Sequence, residues 1–387
     1  MTKSPSPIPP AWYPPSFIEH GLHQTRLRGD VSAYYDLVAQ ADLYLAQPRA
    51  YADANPDSSQ FAPRWNPRTR TMCIDVYTAG MLPLPVPDPV FKAHSLAWFA
   101  EVWDSGDPPY LIVNPDSPCE GVLHAGPEGR AHWLASDGRR QRPVGMPQPG
   151  VHTLMVGGAL HGEVAFGLAA GAHIFVNNAE FWNSMAYHGA GYTREKEMLE
   201  EWWGVTTRTK WLEYVDQLLR ADMVSELWEY ALGLRHTTGP LTPDEWHEAA
   251  DRALQVRHVG ASAAYLHRTI DSIVTYETRF RADGFLADGA IVRTVKAWDY
   301  GRASGMARWG VSTRLGTLAE AEAAVHRAGR LVHSTYTSWA DFSAAYALGR
   351  CLHFDEGEFG KWYDSILATH RLLTTDPTSP WLNLPWV

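Results

Sequence analysis

Two segments of the C-terminal half combine arginine, aspartate and aromatic residues at helical spacing. Trp298, Arg302 and Trp309 recur on one helical face, and Asp299 lies three residues before Arg302, where the two side chains can pair. If the two segments form facing helices, their side chains would converge. Arginines beside aromatic rings suit a phosphate or carboxylate ligand that is gripped by guanidinium groups and stacked on a ring. The candidate ligand-binding residues are Trp298, Asp299, Arg302, Trp309, Trp339, Asp341, Tyr346 and Arg350.

The same residues also allow a purely structural interpretation, which the residue types favour. Buried arginine–aspartate pairs often only orient helices, and tryptophan stripes are more often core. The structural interpretation predicts that Trp298→Ala costs about 3–5 kcal/mol of stability. The ligand-binding interpretation predicts instead that Arg302→Lys and Arg350→Lys fold normally and lose activity.

Other motifs are incomplete, and the sequence assigns no catalytic residue, metal site or cofactor. His247-Glu248-Ala249-Ala250-Asp251 resembles the HExxH zinc motif with Asp in the last place, but a third ligand is not evident. An amphipathic surface helix is the simpler interpretation. His161-Gly162-Glu163 matches the first half of a deaminase motif whose PCxxC partner is missing. The sequence contains no GxSxG, P-loop or GxGxxG.

Net charge and composition indicate which partners and which cellular compartment are compatible with the sequence. The 387 residues carry a formal net charge of −10, which disfavours nucleic acid and anionic membranes as partners. Arg130, Arg139, Arg140 and Arg142 form a local basic cluster that we expect to be a solvated loop. The three cysteines include no CxxC, and no signal peptide or apolar stretch of membrane-spanning length is visible. A cytoplasmic protein with reduced thiols is therefore expected.

The order of elements predicts an α+β protein in two parts. A Pro-rich tail over residues 1–19 precedes a small α/β domain over 20–128, a linker over 129–150 and an all-helical domain over 151–387. In the first part we expect a helix running into a strand over 30–50, a loop over 57–70, a strand over 71–77, prolines that interrupt regular structure over 83–89, a helix over 93–103 and a strand over 110–115.

Capping boxes mark several helix starts in the second part. They are Thr242–Glu245, Thr317–Glu320 and Ser338–Asp341. The terminal residues Trp381, Leu384 and Trp386 are expected to fold back onto the core. The predicted helices span 194–203, 208–219, 222–234, 243–257, 261–282, 288–310, 318–335, 339–354 and 358–370.

The C-terminal half resembles a bacterial domain-of-unknown-function family, typified by the YbeU and YbeR proteins, over roughly residues 155–370. The resemblance rests on Glu201-Trp202-Trp203-Gly204-Val205, Ala297-Trp298-Asp299-Tyr300-Gly301-Arg302 and the segments 336–342 and 346–350. It implies an all-helical fold and no reaction. Residues 30–125 are similar to the SseB N-terminal domain, through segments 43–46, 75–78 and 110–115. That likeness implies a small α/β module associated with secretion.

Two functions remain open from the sequence. The first is a non-enzymatic protein-interaction factor, such as an adaptor, an immunity-like protein or a secretion-associated factor, with another protein as its partner. The alternative is an enzyme or toxin that acts on a nucleotide or phosphorylated small molecule through the arginine, aspartate and tryptophan cluster. A phosphate- or carboxylate-bearing small molecule would then be its ligand.

Overall fold

A computed structural model describes residues 12–84, 89–140, 150–185, 192–239, 241–256 and 263–386. The chain divides into two compact units. The first comprises Met1–Met146, Leu154–Gly158 and His188–Tyr192, and the second comprises Pro147–Thr153, Ala159–Tyr187 and Thr193–Val387. The first unit contains small sheets and the second is helical, consistent with the expected α+β layout. None of the helices in the described ranges has the length and apolar character needed to cross a membrane.

The first unit alternates short helices and strands. Its helices are α1 (Phe17–Arg28), α2 (Val31–Gln40), α3 (Arg49–Ala54), α4 (Leu96–Val102) and α5 (Pro127–Asp137). Its strands are β1 (Leu43–Pro48), β2 (Arg64–Asn66), β3 (Thr71–Val76), β4 (Pro89–His94), β5 (Tyr110–Val113) and β6 (Gly121–His124).

Two sheets organise the strands described in this unit. β1 pairs antiparallel with β4, and the other sheet has the order β2-β3-β5-β6. β3 and β5 are parallel, with Ile74 opposite Leu111, and the remaining pairs are antiparallel. β2 lies in the segment predicted as a loop over 57–70. β4 begins at the last of the prolines predicted to interrupt regular structure over 83–89 and includes the first two residues of the helix predicted over 93–103, which instead begins at Leu96. These residues form a strand because β1 pairs with them from Pro89 to His94.

Helices replace two segments that the sequence assigned to a tail and a linker. α1 begins inside the predicted tail of residues 1–19, because the Ser16 side chain accepts a hydrogen bond from the Ile18 amide and caps the helix. α5 occupies the first part of the predicted 129–150 linker. Its Pro127 starts the helix, and Trp133 is fully buried in the core of the unit. The stabilisation from burying the Trp133 indole therefore exceeds the cost of placing glycines in and beside this helix.

The arginine cluster predicted as a solvated loop is instead bound to the first unit. Arg140 pairs with Asp42, and both side chains are buried. Arg139 pairs with Asp36, and Arg130 donates to the carbonyl oxygen of Trp103. Arg142 lies outside the described residues.

The second unit is built from helices joined by loops. They are α6 (Gly162–Ala170), α7 (Ala172–Asn177), α8 (Tyr192–Trp203), α9 (Arg208–Arg220), α10 (Glu226–Thr238), α11 (Pro243–Val256), α12 (Ala263–Asp283), α13 (Ala297–Ser312), α14 (Leu318–Thr335), α15 (Trp339–Phe354), α16 (Lys361–Thr375) and α17 (Pro380–Asn383).

Helix α13 lies at the centre of this unit, with every residue from Ala297 to Ser312 buried. It packs against α6, α7, α9, α14 and α15. The Trp211 indole of α9 fits against two glycines and donates to the carbonyl oxygen of Met306 at 2.8 Å. A Cβ added at Gly310 would stand 2.1 Å from the Trp211 ring, and one at Gly316 would stand 2.3 Å from it. The glycines therefore make room for the indole.

The sequence prediction of a helix over 288–310 is wrong in its first part, because α13 begins at Ala297. Carboxylates from other helices hold the preceding loop. Glu277 accepts from the Val292 amide at 2.8 Å, and Glu229 accepts from the Val295 amide at 2.7 Å. Glu277 also forms a two-point ion pair with Arg235 at 2.7 and 2.8 Å, with both side chains buried.

Two predicted capping boxes have both of their reciprocal hydrogen bonds. They join Thr242 to Glu245 and Thr317 to Glu320. At the third, the Ser338 hydroxyl caps Asp341 as predicted, but the Asp341 carboxylate accepts from the Thr337 amide instead of from Ser338.

The terminal segment packs as the sequence predicted. Trp381 and Leu384 are buried in the core of the second unit, and Trp386 packs against that core.

Candidate functional site

Asp299 and Arg302 form a buried clasp that joins α13 to the loop between α9 and α10. The Asp299 carboxylate pairs with Arg302 and accepts from the amides of Met223 and Val224 at 2.9 and 3.0 Å. Arg302 also donates to the carbonyl oxygen of Trp298 at 3.2 Å. Burial lowers the pKa of Arg302 and raises the pKa of Asp299, while the ion pair opposes both shifts. The polar groups of this pair are thus already engaged by the fold.

Tyr346 and Arg350 of α15 lie beside this clasp. A Cβ at Gly301 would meet the Tyr346 ring at 2.7 Å, and one at Gly349 would meet Trp298 at 2.9 Å, so the helices are in close contact. The Arg350 guanidinium donates to the Ser365 hydroxyl at 3.4 Å and lies 5.4 Å from the Trp362 ring. The predicted facing of the two helices is therefore present at this end.

The other predicted residues lie elsewhere. Trp339 donates to the carbonyl oxygen of Leu384 at 3.0 Å, and Asp341 pairs with Arg293 at 2.7 Å. Asp341 and Arg350 are nine residues apart on α15, or about 13 Å along its axis at the rise of an α-helix. Trp309 lies near the opposite end of α13 from Trp298. The predicted set is thus divided among three places.

Trp309 belongs to a cluster that contains two glutamates and an arginine, which we call the acid cluster (Glu180, Glu195, Arg308, Trp309 and Ser312). Glu180 follows α7, Glu195 lies in the first turn of α8, and the other members lie in the last turns of α13. Arg308 Nη2 lies 3.5 Å from Glu180, Trp309 Nε1 donates to Glu180 at 3.4 Å, and the Ser312 hydroxyl donates to Glu195 at 3.4 Å. Three segments distant in sequence therefore meet here.

Arg308 is buried with incomplete pairing. Its guanidinium carbon lies 3.8 Å from the Phe175 ring centre, a cation–π distance. Within the described part of the chain, its Nη1 is buried and has no hydrogen-bond partner. The Glu180 side chain keeps 25% of its surface exposed, so solvent reaches the cluster. The cluster therefore combines long polar contacts, an unpaired N–H and partial access to solvent.

Burial raises the pKa of both glutamates in the acid cluster. Burial, followed by the negative charge of Glu180, raises the pKa of Glu195 to about 8. Burial also raises the pKa of Glu180, although Arg308 opposes that shift. Glu195 is therefore protonated at neutral pH and can donate a proton. Carboxyl groups whose pKa values are perturbed by burial and by a charged neighbour are typical of functional sites.

Sequence inspection found Trp309 but missed the rest of this cluster. Glu180 stands shortly after Asn177 and Asn178 in a polar stretch, and Glu195 lies in an ordinary charged helix. The available indication was Arg308, a charged residue within an otherwise small and apolar stretch. Such a residue must be buried with a counter-charge from elsewhere.

The HExxH-like segment holds two histidine–aspartate pairs. His247 lies 2.9 Å from Asp271, and His267 lies 2.8 Å from Asp251. Both pairs join α11 to α12. Across the ranges that the structure describes, no group of three or more His, Cys, Asp or Glu side chains is arranged to hold a metal ion.

Comparison with known proteins informs the helical half alone. No curated protein and no solved structure matches the chain. One family model matches residues 198–386, a region that contains Arg308 and Trp309 but begins after Glu180 and Glu195. Over residues 198–386, the chain is similar to the family described as protein of unknown function (DUF1266).

Proposed function

We propose that the helical unit is an enzyme that uses the acid cluster for general acid–base chemistry on a small molecule. The supporting observation is that two glutamates from different segments flank one buried arginine whose Nη1 has no partner among the described residues. A structural ion pair needs only one carboxylate. The second carboxylate costs electrostatic energy, which a site for proton transfer would justify.

Each side chain has a distinct role in this proposal. Glu195 is the general acid, because it keeps its proton at neutral pH. Glu180 is the carboxylate partner that accepts a proton, and the free N–H of Arg308 donates to an oxygen of the substrate. Ser312 is a positioning residue that orients Glu195. The substrate class is therefore a molecule whose reacting oxygen takes up a proton, as in hydrolysis or isomerisation.

This proposal retains the enzyme alternative from the sequence and moves its chemistry away from Arg302 and Arg350. The protein-interaction function stays a prediction, as do the finer likenesses to the YbeU/YbeR family and to the SseB N-terminal domain. Its direct test is recovery of a specific protein partner in pull-downs from the native host.

The enzyme proposal is tested by metabolite profiling with matched variants. Purified protein is incubated with a polar metabolite extract, and mass spectrometry follows the compounds that are consumed and formed. We expect the wild type to transform at least one compound and Glu195→Gln and Glu180→Gln to lose that activity. Glu197→Gln is the matched control, because Glu197 is exposed on the same helix and contacts only Arg194 at 3.5 Å among the described residues. It should keep the activity.

Circular dichroism and thermal melting establish that each variant is folded. If folded Glu195→Gln and Glu180→Gln transform the same compounds at the wild-type rate, the acid cluster is structural and the proposal fails. A wild-type protein that leaves the whole extract unchanged also counts against it.

A further inference from the structure

A groove on the second unit has the features of a ligand site and shares no residue with the acid cluster. We call it the histidine groove. Its cavity volume is about 630 Å³, within the range of small-molecule sites. It is lined by His161, Gly162, Glu163, Phe166, His326, Gly329, Arg330, His333, Leu384 and Pro385.

The backbone of the groove is fixed by close packing of α6 against α14. A Cβ at Gly167 would stand 2.2 Å from the Val325 carbonyl oxygen, and one at Gly329 would stand 2.9 Å from the Gly167 Cα. Because both helices approach through glycine, the backbone on the two sides of the groove is held at a fixed separation. A preformed site avoids the entropy cost of ordering on binding.

The polar lining holds one arginine, one glutamate and three histidines. Glu163 is the one acidic residue among the lining residues, and His326 already pairs with it. Arg330 makes no hydrogen bond or ion pair with any described residue, so its guanidinium is available to a ligand. α6 also begins at Gly162 without a side-chain cap from His161. The helix N-terminus adds a partial positive charge to the same groove.

Phe166, which also lines the groove, packs among aromatic rings. The Phe166 ring lies 4.7 Å from Trp339 and 5.3 Å from Trp386 between ring centres. His333 stacks with Trp386 at 5.9 Å. Leu384 and Pro385 extend this apolar surface. An arginine beside such a surface suits a small-molecule ligand that has a planar or apolar part and one anionic group.

We infer that the histidine groove binds a small molecule with an aromatic or apolar body and one phosphate or carboxylate group, held by Arg330. The anionic group pairs with the guanidinium, and the body packs against Phe166. This goes beyond the proposed acid–base chemistry, because it assigns a second site with its own ligand class.

Isothermal titration calorimetry on the full chain tests the inference with four probes: phenyl phosphate, benzoate, inorganic phosphate and benzyl alcohol. We expect one of the two aromatic anions to bind and benzyl alcohol not to bind. The tighter anion distinguishes a phosphate group from a carboxylate. Inorganic phosphate should bind more weakly than the preferred aromatic anion, because it lacks the body that packs against Phe166.

Variants on α14 identify the residue responsible. Arg330→Gln should weaken binding by roughly tenfold or more, the loss typical of a charged hydrogen bond, while Arg330→Lys should keep part of it. The matched control is Arg327→Gln, since Arg327 is exposed on the same helix outside the groove lining. It should bind the probe like the wild type. Arg330 is exposed, so its replacement leaves the core intact.

Four outcomes would overturn the inference: no binding of either aromatic anion, equal binding of benzyl alcohol, unchanged binding by Arg330→Gln, or equal losses in Arg330→Gln and Arg327→Gln. Glu195→Gln separates this result from the acid–base proposal. It should bind the anionic probes like the wild type even where it has lost activity.

Discussion

The guanidinium of Arg302 lies over the indole of Trp298, with 3.5 Å between the guanidinium carbon and the ring centre. The two residues are one helical turn apart on α13. The indole therefore serves as a surface for the buried cation as well as filling core volume. The same guanidinium forms the ion pair with Asp299.

Trp298→Ala should lower the free energy of unfolding by about 3–5 kcal/mol, because it leaves a cavity and removes the surface under Arg302. Urea denaturation followed by circular dichroism measures the change. Trp202→Ala is the control, since Trp202 is 53% exposed. It should change stability by less than about 0.5 kcal/mol, as surface substitutions usually do.

The Lys variants of the two arginines test the ligand-binding interpretation directly. A large fall in melting temperature for both Arg302→Lys and Arg350→Lys would exclude it. An Arg302→Lys variant that melts like the wild type would contradict a stabilising role for the clasp of Asp299 and Arg302.

Gly310→Ala should destabilise the second unit by about 1–3 kcal/mol, the usual cost of overpacking. The new methyl group would stand 2.1 Å from the Trp211 ring, which is fixed by its hydrogen bond to Met306. Gly305→Ala on the same helix is the matched control, because the nearest atom to its Cβ would be 3.4 Å away. Denaturation midpoints should fall for the first variant and stay level or rise for the second. Equal effects would show that Trp211 can move.

The stability of the protein should depend on pH through Glu195. Its folded pKa of about 8 exceeds its ordinary value of 4.5, so the folded protein binds more protons than the unfolded chain between these values. The stabilising contribution is complete below pH 4.5 and is lost as pH rises through about 8. In that window, wild-type stability should fall relative to Glu195→Gln by on the order of 1 kcal/mol per pH unit.

Unfolding free energies of the wild type, Glu195→Gln and the exposed control Glu197→Gln, measured from pH 5 to 9, give this slope. The control should follow the wild type. Parallel curves for the wild type and Glu195→Gln would show that Glu195 is ionised in the folded protein, and the general-acid role would be lost.

Breaking the buried pair of Arg235 and Glu277 should cost about 3–5 kcal/mol for Glu277→Leu, because it leaves the buried charge of Arg235 without its carboxylate. Arg235→Met should cost less, because Arg281 still lies 3.6 Å from the Glu277 carboxylate. The double variant should recover part of this loss. It should stay about 1–3 kcal/mol below the wild type, because both the amide and the carbonyl oxygen of Val292 lose their partners. A double-mutant cycle by denaturation measures the coupling. Additive losses would contradict the ion pair.

The sequence predicted the helical half well where local chemistry sets the element. Thr242 and Thr317 mark helix starts because their caps involve residues only three positions away. The stretch after Leu160 is rich in Gly and Ala, and it packs closely where Gly167 lies against Val325. The loop before Ala297 was missed, because the carboxylates that hold it come from Glu229 and Glu277 on other helices.

The candidate sites were harder to predict, because their side chains also come from segments that are distant in the sequence. The spacing of Trp298, Asp299 and Arg302 predicted a helical cluster, and its pairing within α13 is local. Glu180 and Glu195 meet Arg308 only through the tertiary fold, so no spacing in the sequence relates them. The pKa of Glu195 depends on burial, which the residue types alone do not give.

The complete burial of α13 also limits how the chain can change in length. One residue inserted inside the helix would turn every later side chain by about 100° about the axis. Arg308 would then point away from Glu180, and Gly310 would no longer lie under the Trp211 ring. Insertions and deletions are therefore confined to the loops on either side of this helix, whose sixteen positions must keep a constant register.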